Sequence, residues 1–388
     1  MKRRHFLAQG LGGAALSLAG WSPAAAQRDA DAPRLLVVML RGGLDGLAAL
    51  APVGDARYAT LRPNIAPKPM LALNADWALH PALPTWHALW QQGQMAAVHS
   101  AGLASYSGRS HFEAQDLMQS GVAKPYTSAS GWLGRAMQRA GVSGGVALSI
   151  PMPLLLRGHE SSTTQYPNWM PRPGMPLLDG LSAMWRDDPA LAPYAAALKE
   201  EHRPRPEAGM ARTPYAQARS LSELARQAAQ AMRQPDGPRI GLIDFTHGFD
   251  THASQGHAQG ALADQLRQLD QVLAAYRDAA GPVWARSLVI TLTEFGRTVA
   301  ENGNTGTDHG VGSCILMAGG LVSNAQVLAD WRGLASQDLF EGRDLPATID
   351  LHAVHARVLQ RVLGLTPAQI QADVLAYRDS PKLQGLLV

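Results

Sequence analysis

The chain has 388 residues, with 34 Lys and Arg against 31 Asp and Glu, a formal net charge of +3. Lys2, Arg3 and Arg4 fall within the first 26 residues with no acid beside them, so the rest is close to neutral. That balance, with no basic run or aromatic platform, argues against nucleic acid or an anionic membrane as partner. Cys314 is the only cysteine, which excludes an intramolecular disulfide and leaves the fold to its apolar core.

Taken in chain order, the first element is not part of the fold. Lys2-Arg3-Arg4-His5-Phe6-Leu7 is followed by a Gly- and Ala-rich apolar stretch and by Ala24-Ala25-Ala26. This pattern is a twin-arginine export signal over residues 1–26, cleaved near Gln27 and carried by the twin-arginine translocase. Its apolar stretch is too short to cross a bilayer, and no stable membrane span is expected elsewhere. About 360 residues remain, enough for one large α/β domain.

Residues 34–40 (RLLVVML) read as a parallel strand buried on both faces, broken by Gly42-Gly43 and followed by Asp45 at a strand-to-helix turn. A second strand is predicted at 95–99 after an amphipathic stretch at 83–92. Ser107-Gly108-Arg109-Ser110 then opens a helix over 111–120, ended by Gly121. Residues 122–235 are punctuated by prolines, among them Pro151, Pro153, Pro167, Pro171 and Pro204. They read as an inserted cap or lid with one clear helix at 215–232.

Beyond Pro238 the pattern tightens. A strand at 239–245 leads to a polar loop. Leu262, Leu266, Leu269, Val272, Leu273 and Tyr276 then recur at helical spacing, and the next strand at 287–293 ends at Glu294. This is a βαβ unit, which puts Asp250 and Glu294 at the carboxyl edge of one sheet. A further apolar run at 315–317 follows, and 349–363 is amphipathic.

The chemistry concentrates in Asp250-Thr251-His252, Glu294-Phe295-Gly296-Arg297 and Asp308-His309-Gly310. Each lies beside a strand. Carboxylates and imidazoles gathered at strand ends suit one or two divalent cations such as zinc, manganese or calcium.

Together with Arg41-Gly42-Gly43-Leu44-Asp45-Gly46 and Arg109-Ser110-His111-Phe112-Glu113, these motifs extend over nearly the whole mature chain. They resemble the exported bacterial family catalogued as domain of unknown function 1501, which belongs with the alkaline phosphatase and sulfatase-like superfamily. The resemblance implies a three-layer α/β sandwich with a mostly parallel central sheet. It also implies a metal-ligating Asp after the first strand, matched by Asp45, and a nucleophile opening an early helix, matched by Ser110 with Ser107 second. Asp250 and His252 match a later ligand cluster, although spaced D-x-H where the enzymes have D-x-x-x-H, and His309 matches the final ligand. Glu294-Phe295 stands where those enzymes have Asp-His. Either one metal site is lost, or another group such as His111, His247 or Asp308 replaces the imidazole. Arg297 or Arg109 would steady a substrate anion. The expected activity is that of a periplasmic or secreted metal-dependent hydrolase acting on a phosphate or sulfate ester of a small molecule or polymer. The alternative is an exported, non-catalytic binding protein on a degenerate scaffold.

Overall fold

The computed structural model describes residues 31–142, 144–149, 151–164, 175–188, 220–246 and 248–387. The expected signal at 1–26, His247 and the Pro-rich stretches 165–174 and 189–219 lie outside these residues. In chain order the strands are β1 (Arg34–Leu40), β2 (Leu50–Ala51), β3 (Leu71–Ala72), β4 (Ala78–Leu79), β5 (Met95–Gly102), β6 (Gly145–Leu148), β7 (Ser162–Thr164), β8 (Ile240–Phe245), β9 (Ser287–Leu292), β10 (Ser313–Ala318), β11 (Gln326–Ala329) and β12 (Ile349–Asp350).

The main sheet runs β11-β5-β10-β9-β1-β8-β6-β7, with β12 also paired to β5, and β2-β4-β3 form a small second sheet. β1 is parallel to both β8 and β9, and β6 is parallel to β7 and β8. Among the described residues of this main sheet, only β10 runs against its neighbours, β5 and β9. The sheet is therefore mixed but mostly parallel.

Every residue of β1 is buried, as its unbroken aliphatic sequence requires. Its side chains alternate between two cores. Leu35, Val37 and Met39 pack with the helices His111–Ser120, Trp132–Ala140 and Leu351–Leu363. Leu36, Val38 and Leu40 pack with Pro84–Gln91, Leu221–Met232 and Ala261–Ala280. Helices on both faces of a sheet make the three-layer α/β sandwich. The stripe Leu262, Leu266, Leu269, Val272, Leu273 and Tyr276 is buried, at about 1.5–3 kcal/mol per large apolar side chain.

The described parts of the expected cap region pack into the sandwich. Trp132, Leu133, Ala136 and Met137 place one helix in the first core, and Leu224, Ala225 and Ala228 place another in the second. β6 and β7 extend the main sheet at its edge. The apolar spacing within these short segments is what places them there.

Three histidines are enclosed in this core and held neutral. His99 donates from Nε2 to the Leu50 carbonyl at 3.1 Å and accepts the Ser100 N–H on Nδ1 at 2.8 Å. Burial pushes its pKa down from 6.5 to about 4. His355, stacked on Trp132 at 4.4 Å, has no hydrogen-bond partner on either nitrogen among the described residues. Burial lowers it and its neighbour His352 as well. A depressed folded pKa contributes stability that is full above the unfolded value and lost as pH falls through the folded one. The thermal midpoint is therefore expected to fall as pH drops from 6.5 towards 4. A flat midpoint across that window would contradict it.

Candidate metal centre

One edge of the sheet collects the polar loops. β1, β8 and β9 are parallel, so their carboxyl ends share that edge, and it is the edge where antiparallel β10 begins. β5 also ends there, because it runs against β10. Residues 41–45, 248–257, 293–298 and 303–312 and the helix His111–Ser120 therefore meet without any long reach. The turn after β1 depends on Gly42, at φ +115°. A Cβ there would lie 2.6 Å from the Asp250 backbone nitrogen, so only glycine lets the 249–252 loop close over it.

Three imidazoles and one carboxylate converge. His309 Nε2 lies 3.0 Å from His111 Nε2, 3.0 Å from His252 Nε2 and 3.1 Å from an Asp250 oxygen. His252 Nε2 is 3.0 Å from the same Asp250 oxygen, and His111 Nε2 is 3.4 Å from the other. His111, Asp250 and His309 form a group that could hold a metal ion, with ligand atoms all within 4.8 Å of one another.

The opposite nitrogen of each ring settles what the inner ones carry. His111 Nδ1 donates to Glu294 at 2.8 Å, His252 Nδ1 to Asp308 at 3.2 Å, and His309 Nδ1 to the Arg109 carbonyl at 2.9 Å. All three partners only accept, so each neutral ring keeps its hydrogen on Nδ1 and turns an Nε2 lone pair inward. Three lone pairs and a carboxylate at such separations repel one another unless positive charge lies among them. This is how proteins orient imidazole ligands towards a cation. In a tetrahedral zinc site, metal–nitrogen bonds near 2.0–2.1 Å put neighbouring ligand atoms about 3.3 Å apart. The residues present fit such an ion.

The surroundings hold these groups in place. Phe295 forms the floor, its ring 4.8 Å from His111 and 5.0 Å from His309. The phenyl ring that interrupts the expected Asp-His pair thus packs beneath two imidazoles, and His111 supplies the imidazole from another element. Arg297 is fully buried and donates to the carbonyls of Gly43, Phe249 and Thr307 as well as to Asp250. Burial opposes charge on Asp250, but the charge of the Arg297 guanidinium and its hydrogen bond overcome it and lower its pKa. Burial likewise opposes charge on Glu294, and donors from His111, Gln115 and Gly42 lower its pKa. The His111 pKa is raised, chiefly by its bond to Glu294. On the outer side Asp250 and His252 remain 43% and 46% exposed, leaving the centre open to solvent.

Several of the expected residues lie elsewhere or are engaged by other groups. Asp45 is not among the converging groups. Its carboxylate is buried against Arg62 at 2.7 Å, Gln255 at 2.7 Å and the Ala48 N–H at 3.2 Å. Glu294 reaches the centre only through His111. Arg297 is committed to Asp250 and three carbonyls. Arg109 turns its guanidinium to Asp344 and Glu341, giving the centre only its carbonyl. Asp250, His252 and His309 are brought together as expected. Ser110 stands at the head of the His111–Ser120 helix, where its side chain makes no capping bond. Sequence reasoning missed Arg41 and Gln115. The spacing of His111 and Gln115, one helical turn apart, was the available signal.

No curated protein matches the chain in sequence. Among solved structures, the C-terminal periplasmic domain of EcEptC from Escherichia coli aligns at 9% identity over 91% of this chain and 89% of that one, TM-score 0.45. The PsFucS1 sulfatase from Pseudoalteromonas sp. aligns at 13% identity over 93% and 73%, TM-score 0.41. A TAB5 alkaline phosphatase mutant with Mg bound aligns at 10% identity over 76% and 94%, TM-score 0.39. Likeness at this level carries no weight for activity, and the α/β sandwich rests on the strand order itself. The sequence gives the firmer result: residues 32–375 match a single family, and the chain belongs to that family, described as protein of unknown function (DUF1501).

Proposed function

We propose that this protein is an exported, one-metal hydrolase of a phosphate or sulfate ester. The observation that carries the reading is the convergence of three Nε2 lone pairs and Asp250 on one solvent-open point. Three imidazoles with one carboxylate favour zinc or manganese over calcium, which prefers an all-oxygen shell. His111, Asp250, His252 and His309 would hold the ion, with Glu294, Asp308 and the Arg109 carbonyl fixing the rings. A cation bound there supplies Lewis acidity to an ester oxygen. Ser110, adjacent to His111 in sequence, would attack with its hydroxyl. Residues 1–26 would deliver the folded protein to the periplasm through the twin-arginine translocase.

One observation favours a second reading, an exported metal-binding protein without hydrolytic activity. Arg297 and Arg109 are both engaged by protein groups, so no arginine assigned to the substrate anion is free to meet it. Metal analysis with turnover of 4-nitrophenyl phosphate and sulfate separates the two. Hydrolysis predicts one ion per chain and a slow rate abolished by chelation and by Ser110→Ala. One bound ion with neither ester cleaved would leave the binding protein.

A further inference from the structure

The hydrogen bonds of Glu294 do not end at His111. Its Oε1 also accepts from the Gln115 amide nitrogen at 3.0 Å and from the Gly42 N–H at 2.8 Å. Gln115 in turn accepts at Oε1 from Arg41 at 2.6 Å. Arg41 is locked by a forked pairing to Asp244 at 2.8 and 2.9 Å. Arg41 follows β1, Asp244 lies on β8 opposite Met39, and Glu294 follows β9. The chain Asp244–Arg41–Gln115–Glu294–His111 therefore ties three neighbouring strand ends to one imidazole.

Only one orientation of the Gln115 amide fits. A guanidinium can only donate and a carboxylate can only accept, so the oxygen must face Arg41 and the nitrogen Glu294. Arg41 cannot reorient, because its other donors are held by Asp244. We propose that Gln115, oriented by Arg41, is a positioning residue of the metal centre. It fixes Glu294, and through Glu294 it fixes the ring plane and the inward lone pair of His111. This inference rests on the metal reading above. It adds that the hold on the ion is set partly by two residues that never touch it.

The test measures zinc affinity by competition with a chromogenic chelator, together with the visible spectrum of the cobalt(II)-substituted protein. Gln115→Met keeps the volume and removes both polar ends. The expected result is a Kd for zinc about 10- to 100-fold higher and an altered cobalt(II) spectrum. Arg41→Lys, which retains a charge for Asp244 but loses the fork that reaches Gln115, should shift both readouts in the same direction. It serves as the test if Gln115→Met does not fold. Phe112→Ala, at an exposed position on the same helix, should leave both unchanged. If the wild-type chain takes up no zinc or cobalt, the metal reading itself fails. If the wild type binds and the Gln115 and Arg41 variants bind within about twofold of it with unchanged spectra, this inference alone is overturned.

Discussion

Arg62→Met is expected to lower stability by about 3–5 kcal/mol, because it strands a buried carboxylate without its partner. Arg62 is completely enclosed and meets both Asp45 oxygens, at 2.9 and 2.7 Å, while its other donors hold the carbonyls of Thr298 and Val299. Gln255 and the Ala48 N–H remain after the substitution, but neither carries charge. Urea unfolding of the single variants and of Asp45→Asn with Arg62→Met measures the effect. The double variant should recover much of the loss, since removing both charges costs less than orphaning one. Asp45→Asn should leave the metal content unchanged, whereas a metal-ligating Asp45 would lose the ion.

His309→Ala should bring cation occupancy close to zero. His309 is the hub of the centre, with Nε2 against His111, His252 and Asp250 alike. A four-ligand zinc site is worth on the order of 10–16 kcal/mol. One ligand then corresponds to about 3 kcal/mol, on the order of a hundredfold in affinity. His252→Ala should cost less, because that ring is more exposed than His309. Metal analysis after dialysis against dilute chelator would rank the two. Equal retention of zinc by His309→Ala and wild type would remove His309 from the ligand set.

Elements whose residues meet their fate locally were legible in the sequence. The β1 run, the apolar stripe of the Ala261–Ala280 helix and the Gly121 terminator each carry their own signal. Asp250, His252 and His309 were legible too, because loops at strand ends converge whenever the strands do. Asp45 was not. Whether an acid after a strand faces an ion or an arginine depends on Arg62, seventeen residues away in an unremarkable turn. Glu294 was misplaced for a similar reason. Its neighbour His111 is 183 residues distant, and linear spacing cannot say which of the two points inward. Within 122–235 the prolines mark bends without telling whether the pieces between them join the sheet.

The four candidate ligands come from three widely separated parts of the chain, and that spacing bears on when an ion could be captured. His111 and His309 are 198 residues apart, and Asp250 and His309 are 59 apart. An unfolded chain pays loop-closure entropy for each such approach, so it offers no comparable grip. An ion held there could neither seed the fold nor rescue a fragment. It would bind only after β8, β9, β10 and the His111 helix have assembled, and would then deepen the native well by about 2.7 kcal/mol when free cation stands at a hundred times Kd. Occupancy would thus timestamp completed assembly, and a chain ending at β9 would carry three of the four candidate ligands without retaining an ion.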